Sequence, residues 1–241
     1  MARYMKHYNE NILCAIDVET TGLNPRVHEM VQIAILPLDT RFKMLTDIVP
    51  FNIYLRPYRP QCADPVAMKV NGLQIPKLLR DGFGYEESLN LFEKWFDQLN
   101  LRPHADGAPR QIMPLGHNYG FDKSFIVAWM GQEMYDRHFH WHIRDTLSAA
   151  SYLKDRFGLF GYKDPLPKIS LSYLCTCLKI KRQRKHDALQ DCVATAEVYR
   201  KITKLFIPNQ VFNPKITTEG EIIQPRTVLE EAPQNTLSPT E

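Results

Sequence analysis

The chain has 241 residues, of which 44% are hydrophobic, 11% aromatic and 24% charged, with a net charge of +3. Those values are ordinary for a soluble protein with a sizeable core, and the mild charge permits an anionic partner without demanding one. No run of about 18 apolar residues exists, which excludes a transmembrane helix, and the polar first ten residues lack the apolar stretch of a signal peptide. The five cysteines, Cys14, Cys62, Cys175, Cys177 and Cys192, are odd in number, scattered and without a C-x-x-C pair. They read as reduced thiols, so the expected setting is cytoplasmic, or nuclear in a eukaryote, and not secreted.

The predicted elements alternate. Residues 12–18 read as a strand, followed by a turn at Gly22-Leu-Asn-Pro25 and a second strand at 30–38. A third strand is expected at 51–55, with residues 42–49 as a hairpin extension of either neighbour. Residues 65–70 form a short helix ended by Asn71-Gly72. Residues 85–99 place Leu89, Phe92, Phe96 and Leu99 on one helical face. A surface loop at 101–110 leads to a strand at 112–116 and a helix at 121–130. Asp145-Thr146 opens a helix through about residue 156, and the Gly- and Pro-rich stretch 157–168 reads as a loop. A short helix at 171–178 and a long one from His186-Asp187 to about residue 206 complete a domain spanning 1–209. Residues 210–241, rich in proline and polar residues, read as a weakly ordered tail.

Asp17 and Glu19 stand two apart near the end of the first strand. Side chains two apart on a strand share a face, so both carboxylates converge on one small volume. Anions held that close repel, and a cation between them relieves the repulsion. Asp122 falls in the first turn of the helix after Gly116 and faces back toward the strand end. Asp191 lies early in the last helix, five residues after His186. Singly, each has a structural reading: Asp122 as a helix-N-terminal acid, His186 as a capping residue, Asp191 as a solvated helix position. Together, four carboxylates could cage two hard cations such as Mg²⁺ or Mn²⁺. Two such ions about 3.5–4 Å apart clamp a scissile phosphate, and His186 would take the proton of the attacking water.

In this order, Asp17-x-Glu19-Thr-Thr-Gly22, His117-Asn118-x-x-Phe121-Asp122 and His186-x-x-x-x-Asp191 resemble the three motifs of the DEDDh (DnaQ-like) 3′→5′ exonuclease family, which includes proofreading, ribonuclease T and TREX-type enzymes. The similarity extends over roughly residues 10–205. It takes in Glu29-Met-Val-Gln-Ile-Ala-Ile, Pro65-Val-Ala-Met-Lys-Val-Asn-Gly72-Leu, Asp145-Thr-Leu and residues 188–201, with Gln32 replacing an acid common on the second strand. The resemblance implies an α/β fold of the ribonuclease H-like kind, a mixed five-stranded sheet flanked by helices. It implies Asp17, Glu19, Asp122 and Asp191 as ligands of two divalent cations and His186 as general base. Thr20, Gly22 and Leu23 would border the terminal nucleotide, Leu23 as a wedge, and Asn118 with Phe121 or Phe125 would line the strand's path.

The run from Lys179 to Lys185 holds five basic residues. It reads either as a solvated loop or as a phosphate-attracting flank, with Lys181, Arg182 and Arg184 as the candidates. The hydrogen-bonding capacity of His117 suits a structural or a substrate contact, and Trp95, Trp129 and Trp141 are assigned to the core. The expected partner is nucleic acid, with DNA preferred and RNA the alternative, and no membrane. A DNA polymerase or other replication partner is a further expectation, as is a catalytically silent binding or adaptor role. The segment Gln234-Asn-Thr-Leu237 faintly resembles a sliding-clamp peptide but lacks its apolar ending.

Overall fold

The fold was described from a computed structural model. It describes residues 5–159, 161, 166–182, 186–204, 215–216 and 222–223. Two units are present, residues 1–204 and residues 205–241. In the second, the described residues are a two-residue antiparallel pair, Lys215–Ile216 with Ile222–Ile223. The rest of the predicted tail, including the clamp-like segment at 234–237, lies outside the described residues.

In chain order the first unit contains β1 (Ile12–Thr20), β2 (Met30–Pro37), β3 (Phe51–Tyr54), α1 (Pro65–Asn71), α2 (Ile75–Asp81), α3 (Tyr85–Gln98), β4 (Ile112–Gly116), α4 (Tyr119–Met130), α5 (Gln132–His138), β5 (Arg144–Asp145), α6 (Thr146–Leu159), α7 (Leu171–Cys177) and α8 (Ala188–Ile202). The five strands form one mixed sheet in the order β3-β2-β1-β4-β5. β1 runs antiparallel to β2 and parallel to β4, β2 antiparallel to β3, and β4 parallel to β5. The expected mixed five-stranded α/β architecture is therefore observed.

The alternation of β1 builds the two layers. Ile12, Cys14, Ile16 and Val18 join a core with Phe92, Trp95, Phe125 and Trp129 from α3 and α4. Leu13 and Ala15 point the other way, into a cluster with Ala188, Cys192 and Ala196 of α8. Those three small residues recur every four positions, one helical face. They let α8 lie close on β1 and β2, where the Cys192 thiol donates to the Ala34 carbonyl at 3.4 Å. Asp17 and Glu19 continue the odd-numbered series, so the pleat delivers them to the α8 side.

Several expectations are corrected. Residues 42–49 add no strand and contribute an isolated bridge between Leu38 and Met44. α2 and α5, each seven residues, are too short to show a period in the sequence. α6 runs on through Leu159, where a loop was expected from 157, because Leu153 and Phe157 extend its packing face against α7 and α8. Trp95 and Trp129 are core residues whose indole N–H groups reach the Val49 carbonyl and the Ser88 hydroxyl. Trp141 instead is 77% exposed and lies beside His140, on the link between α5 and β5, which offers no packing face.

Candidate active site

The site sits where β1 outlives one of its partners. β4 pairs with β1 from Ile12 to Ala15, while β2 follows it to Thr20. Beyond Ala15 the β4-facing edge is open, leaving a crevice at the carboxyl end of the central strand. α4 fills its mouth. The Asp122 carboxylate, 4% exposed, accepts the Val18 amide at 3.0 Å in place of a strand partner.

Two residues hold α4 there. Gly116 is required because a Cβ would lie 2.7 Å from Cβ of Tyr119. Asp145 accepts the Tyr119 amide at 2.6 Å with one oxygen and the Leu147 and Ser148 amides at 2.8 and 3.1 Å with the other. It therefore caps α6 and anchors the N-terminus of α4 together. The sequence marked Asp145 only as a helix start. Its anchoring of α4 depends on the parallel pairing of β4 and β5, which local sequence does not reveal. Thr146 donates to the Gly116 carbonyl at 3.1 Å and meets His117 Nδ1 at 2.9 Å. With its one hydroxyl proton used, Thr146 accepts from His117, which makes a structural bond.

α8 brings the remaining ligand candidates. Asp187 caps it by accepting the Gln190 amide at 3.2 Å. Gln32, opposite Glu19 in the β1–β2 register, donates to Asn52 at 3.0 Å and accepts the Ala188 amide at 3.4 Å. The residue standing where an acid is common thus registers α8 against the sheet. Asp191 is 7% exposed in the first turn of α8. Glu19, His186 and Asp191 offer ligand atoms within 4.8 Å of one another.

The electrostatics are those of crowded anions. Burial, then the charges of Asp122, Asp191 and Glu19, pushes the Asp17 carboxyl well up. Burial and the charges of Asp191 and Asp187 push Glu19 up to about 8. Burial also raises Asp122 and Asp191, opposed in Asp122 by the Val18 amide and in Asp191 by Arg182. Four oxygen-donor side chains that lose free energy by ionising beside one another fit hard divalent cations, which relieve desolvation and repulsion at once.

The turn after β1 is tightly tied. Thr20 donates to the Gly22 carbonyl at 2.7 Å, and Thr21 exchanges bonds with Glu29. Asn71, buried at the end of α1, donates to the Thr20 carbonyl at 3.1 Å. A Cβ on Gly22 would lie 2.4 Å from the His28 ring. Leu23 projects from this turn, 78% exposed. Asn118 is exposed at the start of α4 with a left-handed backbone and an uncommitted cap position. Phe121 is half-buried, its ring 5.0 Å from that of Phe125, which packs in the core beneath it. Of the basic candidates, Lys181 is exposed, Arg182 turns inward onto Asp191, and Arg184 lies outside the described residues. A cavity of about 330 Å³ lined by His28, Tyr58, Tyr85 and Trp129 holds none of the five catalytic candidates.

The RNase T family of exonucleases matches residues 14–105, which include the first motif and the turn behind it. The 3′-5′ DNA exonuclease Cap18 of Escherichia coli is 26% identical over 198 residues, 82% of this chain and 94% of that protein. The chain is similar in sequence to exonucleases of the kind its three motifs resemble, the DnaQ-like DEDDh enzymes. On these similarities it is a 3′→5′ exonuclease, a phosphodiester hydrolase. Ribonuclease T of Salmonella typhimurium is likewise 26% identical, over 78% of this chain and 82% of its own. Exonuclease I of E. coli, crystallised with a dT13 oligonucleotide, shares the fold with a TM-score of 0.58 and 21% identity over 80% of this chain. The chain spans about two fifths of that structure, 41%.

Proposed function

We propose that this exonuclease removes nucleoside 5′-monophosphates from the 3′ end of single-stranded or frayed DNA, with two divalent cations, Mg²⁺ or Mn²⁺. The observation that carries the reading is the convergence of Glu19, His186 and Asp191 within 4.8 Å, beside Asp17 and Asp122. Asp17, Glu19, Asp122 and Asp191 would hold the cations. When bound, these supply Lewis-acid stabilisation of the attacking and leaving oxygens.

The chain's own residues do the rest. His186, exposed at the rim, takes the proton of the attacking water. The water oxygen bonds to the terminal phosphorus, the bond from phosphorus to the preceding 3′ oxygen breaks, that oxygen takes up a proton from solvent, and the shortened strand leaves with a 3′ hydroxyl. Leu23 wedges against the terminal base, held out by the Thr20 and Gly22 turn. Asn118 and Phe121 line the strand's path, with Phe125 supporting Phe121 from beneath, and Lys181 attracts phosphate.

DNA is favoured because a relative aligned along 94% of its length is a DNA exonuclease. An RNA substrate is the second reading, supported by the ribonuclease T relative at the same identity. A polymerase partner is outside the proposal, since most of the segment that would recruit one lies outside the described residues.

A digestion panel separates the two readings. It compares 3′ ends of single-stranded DNA, duplex DNA, mismatched duplex and RNA, with Mg²⁺, Mn²⁺ or EDTA. The proposal expects metal-dependent release of mononucleotides, fastest from single-stranded DNA. Faster digestion of RNA moves the assignment to the second reading, and undiminished activity in EDTA overturns both.

A further inference from the structure

The acid cluster already contains a cation. The Arg182 side chain is 6% exposed, and its Nη2 is paired with Oδ1 of Asp191, itself 10% exposed. Its Nη1 donates to the Ser172 hydroxyl at 2.9 Å. Its Nε–H is buried and finds no hydrogen-bond partner among the described residues. Neighbouring Lys179 and Lys181 are exposed, so burial of Arg182 is not a property of the whole basic run.

A desolvated guanidinium with an idle donor is costly unless strong opposite charge holds it. The surrounding carboxylates supply that charge. The single bond from Nη2 occupies one oxygen of Asp191 and sets a guanidinium charge where a divalent cation held by that carboxylate would lie, and two positive centres at that spacing repel. We propose that Arg182 is the resident counter-cation of the metal-free site: it and the divalent cation exclude one another at Asp191, and its displacement is subtracted from the enzyme's metal affinity. The inference rests on the metal-binding role given above to Asp191.

The consequence is an exchange. Without metal, Arg182 offsets part of the repulsion among four acids and so stabilises the folded site. With metal, it must leave Asp191. Ser172, at the start of α7, is its second hold and steadies the metal-free position.

Calorimetric titration of the metal-stripped full chain with Mn²⁺ tests this. Arg182→Met should bind Mn²⁺ about tenfold more tightly than the wild type. In EDTA it should melt at a lower temperature, and Arg182→Lys should fall between the two. Unchanged or weaker Mn²⁺ binding by a folded Arg182→Met protein overturns the exchange. Absence of binding by wild type and variants alike overturns the metal-site reading itself, and the exchange with it. If the variants do not fold, the wild type still decides. With ¹⁵N-labelled arginine, the Nε–H signal of Arg182 should be protected from solvent exchange in EDTA and lose that protection in saturating Mg²⁺. Retained protection overturns the proposal.

Discussion

The main-chain amide of Val18 donates to the carboxylate of Asp122, 3.0 Å away and 104 residues later in the chain. One oxygen thus satisfies a strand donor that β4 leaves unpaired, in the residue proposed to bind metal. Asp122→Asn keeps an acceptor and loses the charge, whereas Asp122→Ala loses both. We expect both variants to lose exonuclease activity. Only the alanine variant should lose stability, by about 1–3 kcal/mol for the buried amide left unpaired. Denaturant unfolding beside a digestion assay checks this, and equal stability of the two variants would show the bond to be dispensable.

Among the described residues, the hydrogen bonds of the Asp145 carboxylate go to backbone amides and not to a ligand candidate, and they hold the first turns of both α4 and α6. Asp145→Ala should lower stability by about 1 kcal/mol through the lost cap. It should also lower Mn²⁺ affinity about 10- to 100-fold, since Asp122 is no longer fixed. Asp145→Asn should recover much of both. Mn²⁺ titration by calorimetry measures it; normal affinity in the alanine variant would contradict the positioning role.

The raised carboxyls set a pH dependence. A carboxyl whose folded-state pKa lies above its unfolded value keeps its proton in the folded protein after the unfolded chain has lost it. The folded state then binds more protons, so stability falls as pH rises. For Glu19, with the folded value pushed up to about 8 from 4.5, the fall spans that window and ends above it. Asp17, Asp122 and Asp191 act in the same direction. In EDTA the melting temperature should therefore be higher at pH 6 than at pH 9. The increment from saturating Mg²⁺ should grow over the same range, because metal binds the deprotonated ligands. Thermal melts at both pH values test this, and a Mg²⁺ increment that shrinks with pH would refute it.

Thiol chemistry provides a probe that spares the site. Cys14, Cys175 and Cys192 are buried, and burial pushes the Cys14 and Cys192 thiols well up, whereas Cys177 is exposed and Cys62 half-buried. At pH 8 the native protein should react rapidly with a thiol reagent at Cys177, more slowly at Cys62, and at the other three only on unfolding. Mass mapping of the modified peptides gives the order. Early labelling of Cys192, which packs α8 on the sheet, would mean that α8 opens far more readily than its packing implies.

Much of this was legible in the sequence, for physical reasons that differ by element. β1 announced itself because alternation and the Asp17–Glu19 pair are both local. The spacing of His186 and Asp191 was readable because α8 carries both from its first turn and the residues just before it. Gln32 was read only as a replacement for an acid on the second strand, because its bonds to Asn52 and Ala188 join segments distant in the chain. Arg182 was read with its basic neighbours as a surface charge. Its inward turn depends on Asp191 and Ser172 being brought beside it, which no charge pattern encodes. Trp141 was assigned to the core on residue type alone, while its position on a link without a packing face left it in solvent.

Glu19 sits on the first strand of the domain and Asp191 on its last helix, yet their ligand atoms lie within 4.8 Å. An ion shared between them would close a loop enclosing nearly the whole first unit. It would act as a reversible staple, restricting the unfolded chain much as a long-range cross-link does. A chelator would then do more than silence the enzyme: it would open the seam along which the domain is sewn, and resistance to proteases would rise and fall with metal supply.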